Sequence, residues 1–490
     1  RSLPSRHDNV GPNVKPTQPN ALTASDSRSR AIDILKRETR LNVDRIECEQ
    51  GTGRPRFDKE RVHAPASSAG DVAPFSVLFH AKRRGQIYLV RAMNANITFT
   101  ADVEDLQNGT YNCHFPALIL PLGHTIVVDA FLMAECTETL YDFWCVYNYS
   151  ADNRHKCPME GRSPHSLDAG TKVAQFDLVV EYDPGIKMVT KPNCTTQHSP
   201  RLFGMWHRRL DVNIPDWRMI NGIWIGDSLT VRADYTPSEC RLRSIDYDRC
   251  LADRFTVFFG DSTMRNMFYC LARKVLNATH TGATRQSTKL QELAPQWTPT
   301  NSSNKKASEW KQKEGNMVTE RKKNPVYISW ASHLEQAPPP MPEFLASFEK
   351  WRDHLGFKKR RITVLWTMGA HSPGVNISVL YDEVHKYGKQ FQEWMAQTGH
   401  EVFHITTKAV RKLVKGQSKA NLHPAYNNPR IYAKNVITAS ILGDYGIRTI
   451  DLFTPTLQFW TNWEFVQDGI HYKDWVDTVL RDIIFQTICP

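Results

Sequence analysis

The sequence predicts an all-β sandwich followed by a doubly wound α/β domain with a parallel sheet. Between Pro74 and Tyr182, short apolar runs are separated by turn residues, a pattern typical of a β sandwich. From Phe255 onward, apolar strand runs alternate with helical patterns, which is typical of a parallel sheet covered by helices. A chain of 490 residues is also too long for one ordinary core, so two domains are expected.

The N-terminal residues show neither pattern. Residues 1–71 are rich in Ser, Pro, Asn and Arg and have little apolar periodicity. This composition predicts a mostly disordered stalk with a short helix near Ala31 to Arg40. We assign the β domain to residues 72–189 and the α/β domain to residues 190–490.

The β domain contains six predicted strands, each a short run with apolar and β-branched residues. They are Phe75–Ala81, Ile87–Ala92, Ile97–Ala101, Gly109–Phe115, Thr125–Met133 and Ala174–Tyr182. Cys136, Cys145 and Cys157 lie in a long insertion before the last strand.

The α/β domain opens with residues 190–250, which are rich in Trp and Cys and poor in helix signals. Strands and helices then alternate. The predicted strands are Phe255–Phe259, Val326–Trp330, Ile362–Thr367, Glu401–Ile405 and Arg448–Leu452. The predicted helices are Met264–Val275, Pro342–Leu355, Val379–Gln397, Arg430–Leu442 and Lys473–Thr487. The polar and charged residues 295–324 are expected to form an exposed insertion.

The charge of the chain favours a basic, solvated surface. The net charge is +11, and its basic residues are scattered or concentrated in the N-terminal arm and in the run from Lys305 to Lys323. No motif that combines aromatic and basic residues for nucleic-acid recognition is present, so no nucleic-acid partner is expected. Attraction to acidic glycans or to an anionic membrane surface remains open.

Cysteines and glycosylation signals indicate an oxidising compartment. The ten cysteines include no CxxC pair and no Cys/His cluster at zinc spacing, so no metal site is predicted. Their even number favours disulfides and placement in the secretory-pathway lumen, including the Golgi, or outside the cell. Cys240 is expected to pair within residues 190–250 or with Cys250. Sequons for N-glycosylation occur at Asn96, Asn108, Asn148, Asn193, Asn277, Asn301 and Asn376.

No membrane-spanning segment is predicted, because the chain has no run of about 20 apolar residues. The sequence starts at Arg rather than Met. A removed signal peptide and a removed signal anchor are both compatible with this start, and a membrane link is expected only through such an anchor.

The main chemical signal lies directly after the first predicted strand of the α/β domain. Gly260-Asp261-Ser262 follows the run Phe255–Phe259 and precedes the helical pattern Met264–Val275. A strand, a tight turn and a helix place a side chain on an exposed corner at the carboxyl edge of the sheet. The helix N-terminus also offers unpaired backbone N–H groups to a developing negative charge. Ser262 is therefore the candidate nucleophile.

A second motif supplies the groups that a serine nucleophile lacks. In Asp468-Gly469-Ile470-His471, the imidazole can take the serine proton and the carboxylate can orient and stabilise the imidazole. Gly469 permits a tight turn before the pattern Lys473–Thr487, so the two side chains can approach each other. We expect Ser262, Asp468 and His471 to converge.

An upstream segment carries the same three residues as the nucleophile motif. Gly226-Asp227-Ser228-Leu229 lies between Ile223-Trp-Ile and Thr230-Val-Arg-Ala-Asp. These flanks indicate an edge strand or a turn with no helix to follow. Ser228 is therefore not expected to be the nucleophile and should lie far from His471.

These motifs together resemble known families. The order Ser…Asp-x-x-His resembles the SGNH/GDSL hydrolases. Asn108-Gly-Thr-Tyr111, with the following Phe-Pro step and apolar strand, resembles a neurexophilin-type, filamin-like Ig domain. The segments starting Cys250-Leu-Ala-Asp-Arg-Phe and Phe259-Gly-Asp-Ser-Thr-Met-Arg resemble the start of a PC-esterase domain. Residues 72–490 thus resemble the neurexophilin and PC-esterase domain family, which is related to plant wall-polysaccharide and sialic acid O-acetyltransferases.

The resemblance implies an SGNH-like fold and roles for individual residues. Ser262 would be the nucleophile, His471 the base and Asp468 the partner of that base. We expect this enzyme to transfer O-acetyl groups to hydroxyls of a glycan or glycoprotein, without a bound cofactor and with an acyl donor such as acetyl-CoA as co-substrate. Glycan O-acetylester hydrolysis is the alternative. The rival from another class is a non-catalytic adhesion glycoprotein that binds a partner through the Ig-like domain, and the oligomeric state is left open.

Three further residues are implied less directly. Trp366-Thr-Met-Gly-Ala-His371 falls where SGNH proteins carry Gly-x-Asn, so Gly369 would supply an oxyanion N–H. The chain lacks the Asn, and His371 is either a site residue or a packed loop histidine. Arg265, one turn after the serine, either holds an acyl or substrate oxygen or is an ordinary ion-pair partner.

Overall fold

The structure is a computed structural model with a β-rich N-terminal part and a C-terminal part that alternates strands and helices. It describes residues 23–39, 55–81, 86–93, 97–134, 172–187, 191–194, 202–211, 216–220, 223–227, 230–261, 263–264, 266–268, 270–271, 315–318, 327–332, 341–354, 356–369, 377–410, 428–459, 471–472 and 474–489.

The six strands predicted for the β domain are all present, and their ends differ from the prediction by two residues at most. Further strands precede and follow them. In chain order, the strands of this part are β1 (Arg56–Phe57), β2 (Arg61–Ala66), β3 (Asp71–Val72), β4 (Phe75–His80), β5 (Ile87–Met93), β6 (Ile97–Thr100), β7 (Asp102–Asp105), β8 (Thr110–Phe115), β9 (Leu118–Ile119), β10 (Thr125–Ala134), β11 (Lys172–Tyr182), β12 (Gly204–Asp211), β13 (Asp216–Ile220), β14 (Ile223–Asp227) and β15 (Thr230–Pro237).

Two sheets share an apolar core in this β-rich part. The smaller sheet has the order β1-β4-β8-β7, and the larger has the order β15-β12-β6-β5-β10-β11-β2-β3-β9. On β8, Tyr111, Cys113 and Phe115 are buried and alternate with partly exposed residues, as expected for a strand with one face in the core. The ring of Phe115 contacts those of Phe99 and Phe176 on the larger sheet. This arrangement confirms a β-rich, two-sheet region.

The larger sheet extends beyond the predicted β domain. Strand β2 lies inside the sheet and pairs in parallel with β11, whereas its other side pairs with β3. Strand β12 pairs with β6, and β15 pairs with β12. Strands β12 and β15, which lie within the Trp/Cys-rich residues 190–250, therefore belong to this sheet, whereas β13 and β14 pair with each other in a separate two-stranded sheet. Such long-range pairing leaves no local periodic signal in the sequence, and the domain boundary at residue 190 stays a prediction.

The helix predicted near Ala31 to Arg40 is present and begins seven residues earlier, at Ala24. Helix α1 (Ala24–Glu38) begins at a capping box in which Thr23 and Asp26 exchange hydrogen bonds. Ala31 and Leu35 on this helix are completely buried against helices of the C-terminal part. Helix α1 therefore packs on the C-terminal part.

The C-terminal part is built on a six-stranded sheet with the order β17-β18-β16-β19-β20-β21. All its strand pairs are parallel except the β17–β18 pair. The strands are β16 (Arg254–Gly260), β17 (Gly315–Val318), β18 (Tyr327–Ser332), β19 (Arg361–Trp366), β20 (Glu401–Ile405) and β21 (Arg448–Ile450). Strand β17 lies within the stretch predicted to be an exposed insertion, where it forms the antiparallel edge of the sheet.

The helices of this part agree with the predicted alternation, apart from two short helices, Tyr247–Leu251 and Phe453–Leu457, that the sequence pattern missed. They are α2 (Tyr247–Leu251), α3 (Met341–His354), α4 (Ile377–Thr398), α5 (Asn428–Asp444), α6 (Phe453–Leu457) and α7 (Asp474–Ile488). Residues 263–264, 266–268 and 270–271 are also helical.

Helices cover both faces of the central strands. Val257 and Phe259 of β16 belong to the apolar cluster that contains α3 and α4, whereas Phe258 belongs to the cluster that contains α7. All residues of β16 are buried, as expected for a parallel strand with two covered faces. The predicted parallel α/β sheet is thus present. Many open α/β sheets share this strand order, so the order alone does not identify an SGNH-type hydrolase.

Two disulfides lie among the described residues. Cys194 pairs with Cys240, which confirms a pairing of Cys240 within residues 190–250. Cys250 pairs with Cys489 and so joins α2 to the end of α7 across 239 residues. The predicted insertion with Cys136, Cys145 and Cys157 lies outside the described residues.

Candidate active site

The turn after β16 depends on a close approach that only glycine permits. A Cβ atom at Gly260 would lie 2.6 Å from Thr367 Cγ2 and 2.9 Å from Met264 Cγ. Thr367 directly follows β19, and Met264 lies in the helix after the turn. The absence of a side chain at Gly260 therefore lets strand, turn and helix pack against the end of the neighbouring strand.

Asp261 organises the first residues of that helix. Its Oδ1 accepts hydrogen bonds from the backbone N–H of Thr263 at 2.9 Å and from the Thr263 hydroxyl at 2.6 Å. Both residues are buried. A carboxylate that accepts backbone N–H donors at the start of a helix satisfies groups that would otherwise lack a partner. Ser262 stands between these two residues in the sequence and lies outside the described residues.

The loop after β19 lies directly against this corner. Gly369 has φ +78°, a conformation that favours glycine, and a Cβ atom there would lie 2.5 Å from Asp261 Oδ2. Gly369 therefore lies beside Asp261, the residue that precedes Ser262 in the sequence. Its N–H, for which we expected an oxyanion role, donates to the Thr367 hydroxyl at 3.2 Å in this structure.

The carbonyl of Gly369 is held from two directions. It accepts a hydrogen bond from Lys434 Nζ at 2.7 Å and another from Thr407 Oγ1 at 3.2 Å. Thr407 is in turn fixed by Asn435, which exchanges hydrogen bonds with its backbone N–H and C=O at 2.9 and 2.8 Å. The loop after β19, the loop after β20 and helix α5 are thus joined at one carbonyl.

Lys434 is a site residue that the sequence analysis missed. Only 5% of this residue is exposed, and desolvation lowers its pKa to about 7, while the Asp261 carboxylate acts in the opposite direction. A signal was available: Lys434 is spaced three residues from Ile431 and from Ile437, which are buried on α5. A lysine at an apolar position of a helix pattern is a candidate for a buried functional cation.

His471 lies in a segment that is anchored to the loop after β20. The buried Tyr472 donates its hydroxyl proton to the carbonyl of Ala409 at 2.6 Å. Nearby, Lys408 and Asp477 form a buried ion pair at 2.6 Å, and the Lys408 ammonium lies 5.2 Å from the centre of the Tyr472 ring. The partly exposed His471 is therefore next in the sequence to a residue that is fixed to the loop after β20. Asp468 lies outside the described residues.

These contacts lie at the switch point of the sheet. Strand β16 has β18 on one side and β19 on the other, so the chain winds in opposite directions from this strand. Ligands of open α/β sheets bind at such a point, beyond the carboxyl ends of the strands. Gly260 and Asp261 lie at this end of β16, and Gly369 follows the same end of β19.

A cavity of about 410 Å³ adjoins the residues that hold the Gly369 carbonyl. Thr406, Asn435 and Asp451 contribute to its lining. Burial raises the pKa of Asp451, and hydrogen bonds to Thr454, Leu202 and other groups oppose this shift. The cavity lies beside α5 and β21 and is lined by Thr406 rather than by residues at the end of β16.

The remaining predicted residues have different outcomes. Gly226 and Asp227 end β14 and β15 begins at Thr230, so no helix follows the upstream motif, as predicted. Two sequon asparagines are exposed, at Asn108 and Asn193. The other predicted positions that lie outside the described residues are Ser228, Arg265, His371, Asn96, Asn148, Asn277, Asn301 and Asn376.

Two wider properties bear on the setting of the site. Among the described residues, no group of three or more His, Cys, Asp and Glu side chains is arranged to hold a metal ion. Within the same parts of the chain, no helix is both long and apolar enough to cross a membrane.

Comparison with known families relates the C-terminal part to one of them. The family model described as NXPE family member 4-like, C-terminal domain, matches residues 235–489, slightly more than half of the chain. The chain belongs to the NXPE family. The match spans β16 to α7 and so includes the Gly260-Asp261-Ser262 and Asp468-Gly469-Ile470-His471 motifs of this NXPE protein. No curated protein matches the chain.

The NXPE relationship supports a PC-esterase-like protein and, with the two disulfides, a lumenal or secreted setting. An esterase or an acyltransferase is consistent with such a relationship. The match does not extend over the β strands before residue 235. The neurexophilin-type and filamin-like assignment of those strands therefore stays a prediction.

Proposed function

We propose that this chain is a serine-dependent acyl-ester enzyme of the secretory pathway, with the Golgi lumen as its proposed site of action, and that it transfers O-acetyl groups to hydroxyls of glycans or glycoproteins. The observation that carries the proposal is the contact between Gly369 and Asp261. It joins the loop after β19 to the residue directly before Ser262, at the switch point of an α/β sheet. The PC-esterase relationship of the family supplies the reaction class.

In the proposed site, Ser262 is the nucleophile, His471 is the base and Asp468 orients the imidazole. Two observations support this assignment. The residues that flank Ser262 in the sequence are fixed at the carboxyl end of β16, and Tyr472 is fixed to the loop that follows the carboxyl end of β20. Both ends lie on the same edge of the parallel sheet, because β16, β19 and β20 run in the same direction.

The first half-reaction forms an acyl-enzyme. The imidazole of His471 takes the hydroxyl proton as Ser262 Oγ bonds to the carbonyl carbon of the acyl donor. The carbonyl oxygen becomes an oxyanion. When this intermediate collapses, the bond from the acyl carbon to the leaving oxygen or sulfur breaks, and the imidazolium returns the proton to the leaving group.

The second half-reaction releases the acyl group. His471 takes a proton from a sugar hydroxyl, whose oxygen attacks the acyl carbon. The bond to Ser262 Oγ then breaks, and the serine regains its proton. If water takes the place of the sugar hydroxyl, the same steps give an O-acetylesterase. The choice depends on how well the acceptor excludes water from the acyl-enzyme.

Backbone N–H groups are the proposed oxyanion donors. The start of the helix after β16 offers such groups, and each donor of this kind contributes a few kcal/mol to catalysis. For Gly369 to contribute, its N–H has to exchange the Thr367 hydroxyl for the substrate oxygen. Arg265 and His371 remain proposed substrate contacts. The fold of this domain is proposed to be SGNH-like, and the strands before it to be an Ig-like module.

Labelling with a fluorophosphonate probe tests the proposal. Such a probe phosphonylates an activated serine, so we expect labelling of the wild-type chain and none of Ser262→Ala or His471→Ala. Ser228→Ala is the matched control, because it removes the serine of the second Gly-Asp-Ser motif, and its labelling should equal that of the wild type. A wild-type chain that stays folded and unlabelled would favour a non-catalytic glycoprotein.

Transfer and hydrolysis are separated by a second assay. The wild-type chain is incubated with a labelled acetyl donor and a glycoprotein acceptor, and label in the acceptor is compared with released acetate. Label that enters the acceptor only with intact Ser262 supports the transferase. Release of acetate alone, equally dependent on Ser262, assigns the chain as an esterase.

A further inference from the structure

The most informative group that the proposed reaction does not use is the ammonium of Lys434. It projects from α5 and donates to the carbonyl of Gly369 at 2.7 Å, where the Thr407 hydroxyl also donates at 3.2 Å. Lys434 is 5% exposed. A cation is rarely buried to this extent without a specific partner, so its position needs a functional or structural reason.

The charged and titratable groups around Lys434 come from two strands. Asp261, at the end of β16, interacts favourably with the ammonium. His404, on β20, is repelled by it: burial, and then the charge of Lys434, lower the pKa of His404 to about 3, so the imidazole is neutral at physiological pH. Desolvation lowers the pKa of Lys434 itself to about 7. The charge of Lys434 therefore changes near neutral pH.

We propose that Lys434 is a positioning residue for acyl transfer: its ammonium holds the Gly369 carbonyl and faces Asp261, and so keeps the turn after β19 against the corner that carries Ser262. This inference rests on the proposed function of Ser262. Lys434 acts through Gly369 and Asp261 and is not proposed to touch the substrate.

The physical argument has two parts. Gly369 contacts Asp261 closely, and hydrogen bonds of both its N–H and its C=O fix the conformation of this glycine. Loss of the lysine leaves the carbonyl with the longer Thr407 bond alone. In addition, a protonated Lys434 adds positive charge beside the edge of the sheet where the oxyanion develops, whereas the neutral amine does not.

The test is the rate of fluorophosphonate labelling as a function of pH. For the wild-type chain, we expect a component of the rate that decreases as pH rises through about 7, as Lys434 loses its proton. Lys434→Met should label at least tenfold more slowly and should lack this component. Lys434→Arg keeps the charge at all these pH values, so its rate should exceed that of Lys434→Met and should not decrease near pH 7.

Lys191→Met is the matched control. Lys191 also donates to a backbone carbonyl, that of Pro237 at 3.2 Å, but lies in the β-rich part. Its removal should change neither the rate nor the pH profile. Circular dichroism and the thermal midpoint of each variant show whether it is folded. If Lys434→Arg fails to fold, the comparison of the pH profiles of wild type and Lys434→Met still decides the question.

The outcomes separate this inference from the proposed function. Absence of wild-type labelling, or labelling that survives Ser262→Ala, overturns the proposed function. Ser262-dependent labelling with the same rate and pH profile in wild type and Lys434→Met overturns the role of Lys434 alone. A slow Lys434→Met with an unchanged profile shape also overturns the role of its charge.

Discussion

The backbone of Gly369 lies against the carboxylate of Asp261, so closely that a Cβ atom on the glycine would lie 2.5 Å from Asp261 Oδ2. This contact joins two loops that are separated by more than a hundred residues in the chain. It occurs where β16 and β19 end side by side, because the two strands pair in parallel from Arg254–Arg361 to Phe259–Trp366. The sheet topology thus brings Gly369 to the residue that directly precedes Ser262 in the sequence.

Replacing Gly369 with alanine tests the importance of this contact. The methyl group would meet the Asp261 carboxylate and would also disfavour φ +78°. We expect fluorophosphonate labelling to slow by at least tenfold, and the unfolding free energy to fall by more than the ~1 kcal/mol that alanine costs in this conformation alone.

Gly356→Ala is the matched control for that experiment. Gly356 has φ +80°, and a Cβ atom there meets nothing within 4 Å. Its substitution should cost the conformational energy without slowing the labelling. Equal effects of the two substitutions on labelling would show that the contact with Asp261 does not matter.

The buried ammonium of Lys434 should make stability depend on pH. Its pKa is about 7 in the folded chain and near its ordinary 10.5 in the unfolded chain. Between these values the unfolded chain binds the extra proton, so stability rises with pH, by at most about 1.4 kcal/mol per pH unit. Below about pH 7 this contribution is constant.

Chemical unfolding of wild type and Lys434→Met at several pH values measures this effect. The difference between their unfolding midpoints should shift in favour of the wild type as pH rises through this window. A constant difference between the two proteins from about pH 6 to about pH 10 would contradict the lowered pKa.

The ion pair of Lys408 and Asp477 should contribute strongly to the anchoring of the His471 segment. Both side chains are almost completely buried, so Asp477→Asn leaves an ammonium without its countercharge. We expect a loss of about 3–5 kcal/mol in unfolding free energy. The double variant Lys408→Met/Asp477→Leu should recover much of this loss, since it removes both buried charges.

An exposed pair provides the comparison. Lys389 and Glu393 lie 4.0 Å apart with most of each side chain in solvent, so Glu393→Gln should cost less than about 1 kcal/mol. If Asp477→Asn is no more destabilising than Glu393→Gln, the buried pair does not anchor the segment. Thermal and chemical unfolding measure both variants.

A fragment of residues 72–185, which covers most of the predicted β domain, should not fold on its own. Residues 72–185 lack β2, which lies inside the large sheet beside β11, and lack β12, which covers the edge of β6. Ile87 and Phe131 are also buried against the C-terminal part. We expect the fragment to lack a cooperative thermal transition. A soluble fragment with a sharp transition would contradict the shared core.

The sequence predicted the elements that local patterns encode and missed the contacts that join distant parts of the chain. Strands such as β8 and helices such as α5 have local periodic patterns, and both were predicted. The position of helix α1 was predicted only approximately, because its amphipathic pattern is short and polar residues surround it in the sequence. The pairing of β12 with β6 and the disulfide of Cys250 with Cys489 join distant parts of the chain, and no local pattern encodes them.

The same distinction applies to the candidate site. Gly260-Asp261-Ser262 and Gly369 were recognised because each follows an apolar strand in a known motif. Lys434 was missed, because the reason for its burial is a carbonyl that lies 65 residues earlier in the chain. We expected the Gly369 N–H to bind an oxyanion, and its hydrogen bond to the Thr367 hydroxyl was not predicted. A sequence motif does not specify which nearby acceptor a backbone N–H binds.

The central claim is that Ser262 is an activated nucleophile, and mapping the probe adduct by mass spectrometry tests it most directly. The folded wild-type chain is treated with a fluorophosphonate, its intact mass is measured, and the modified peptide is sequenced. We predict one phosphonyl group per chain, located on Ser262. An adduct on Ser228 or another serine, or no adduct on the folded chain, would contradict the claim.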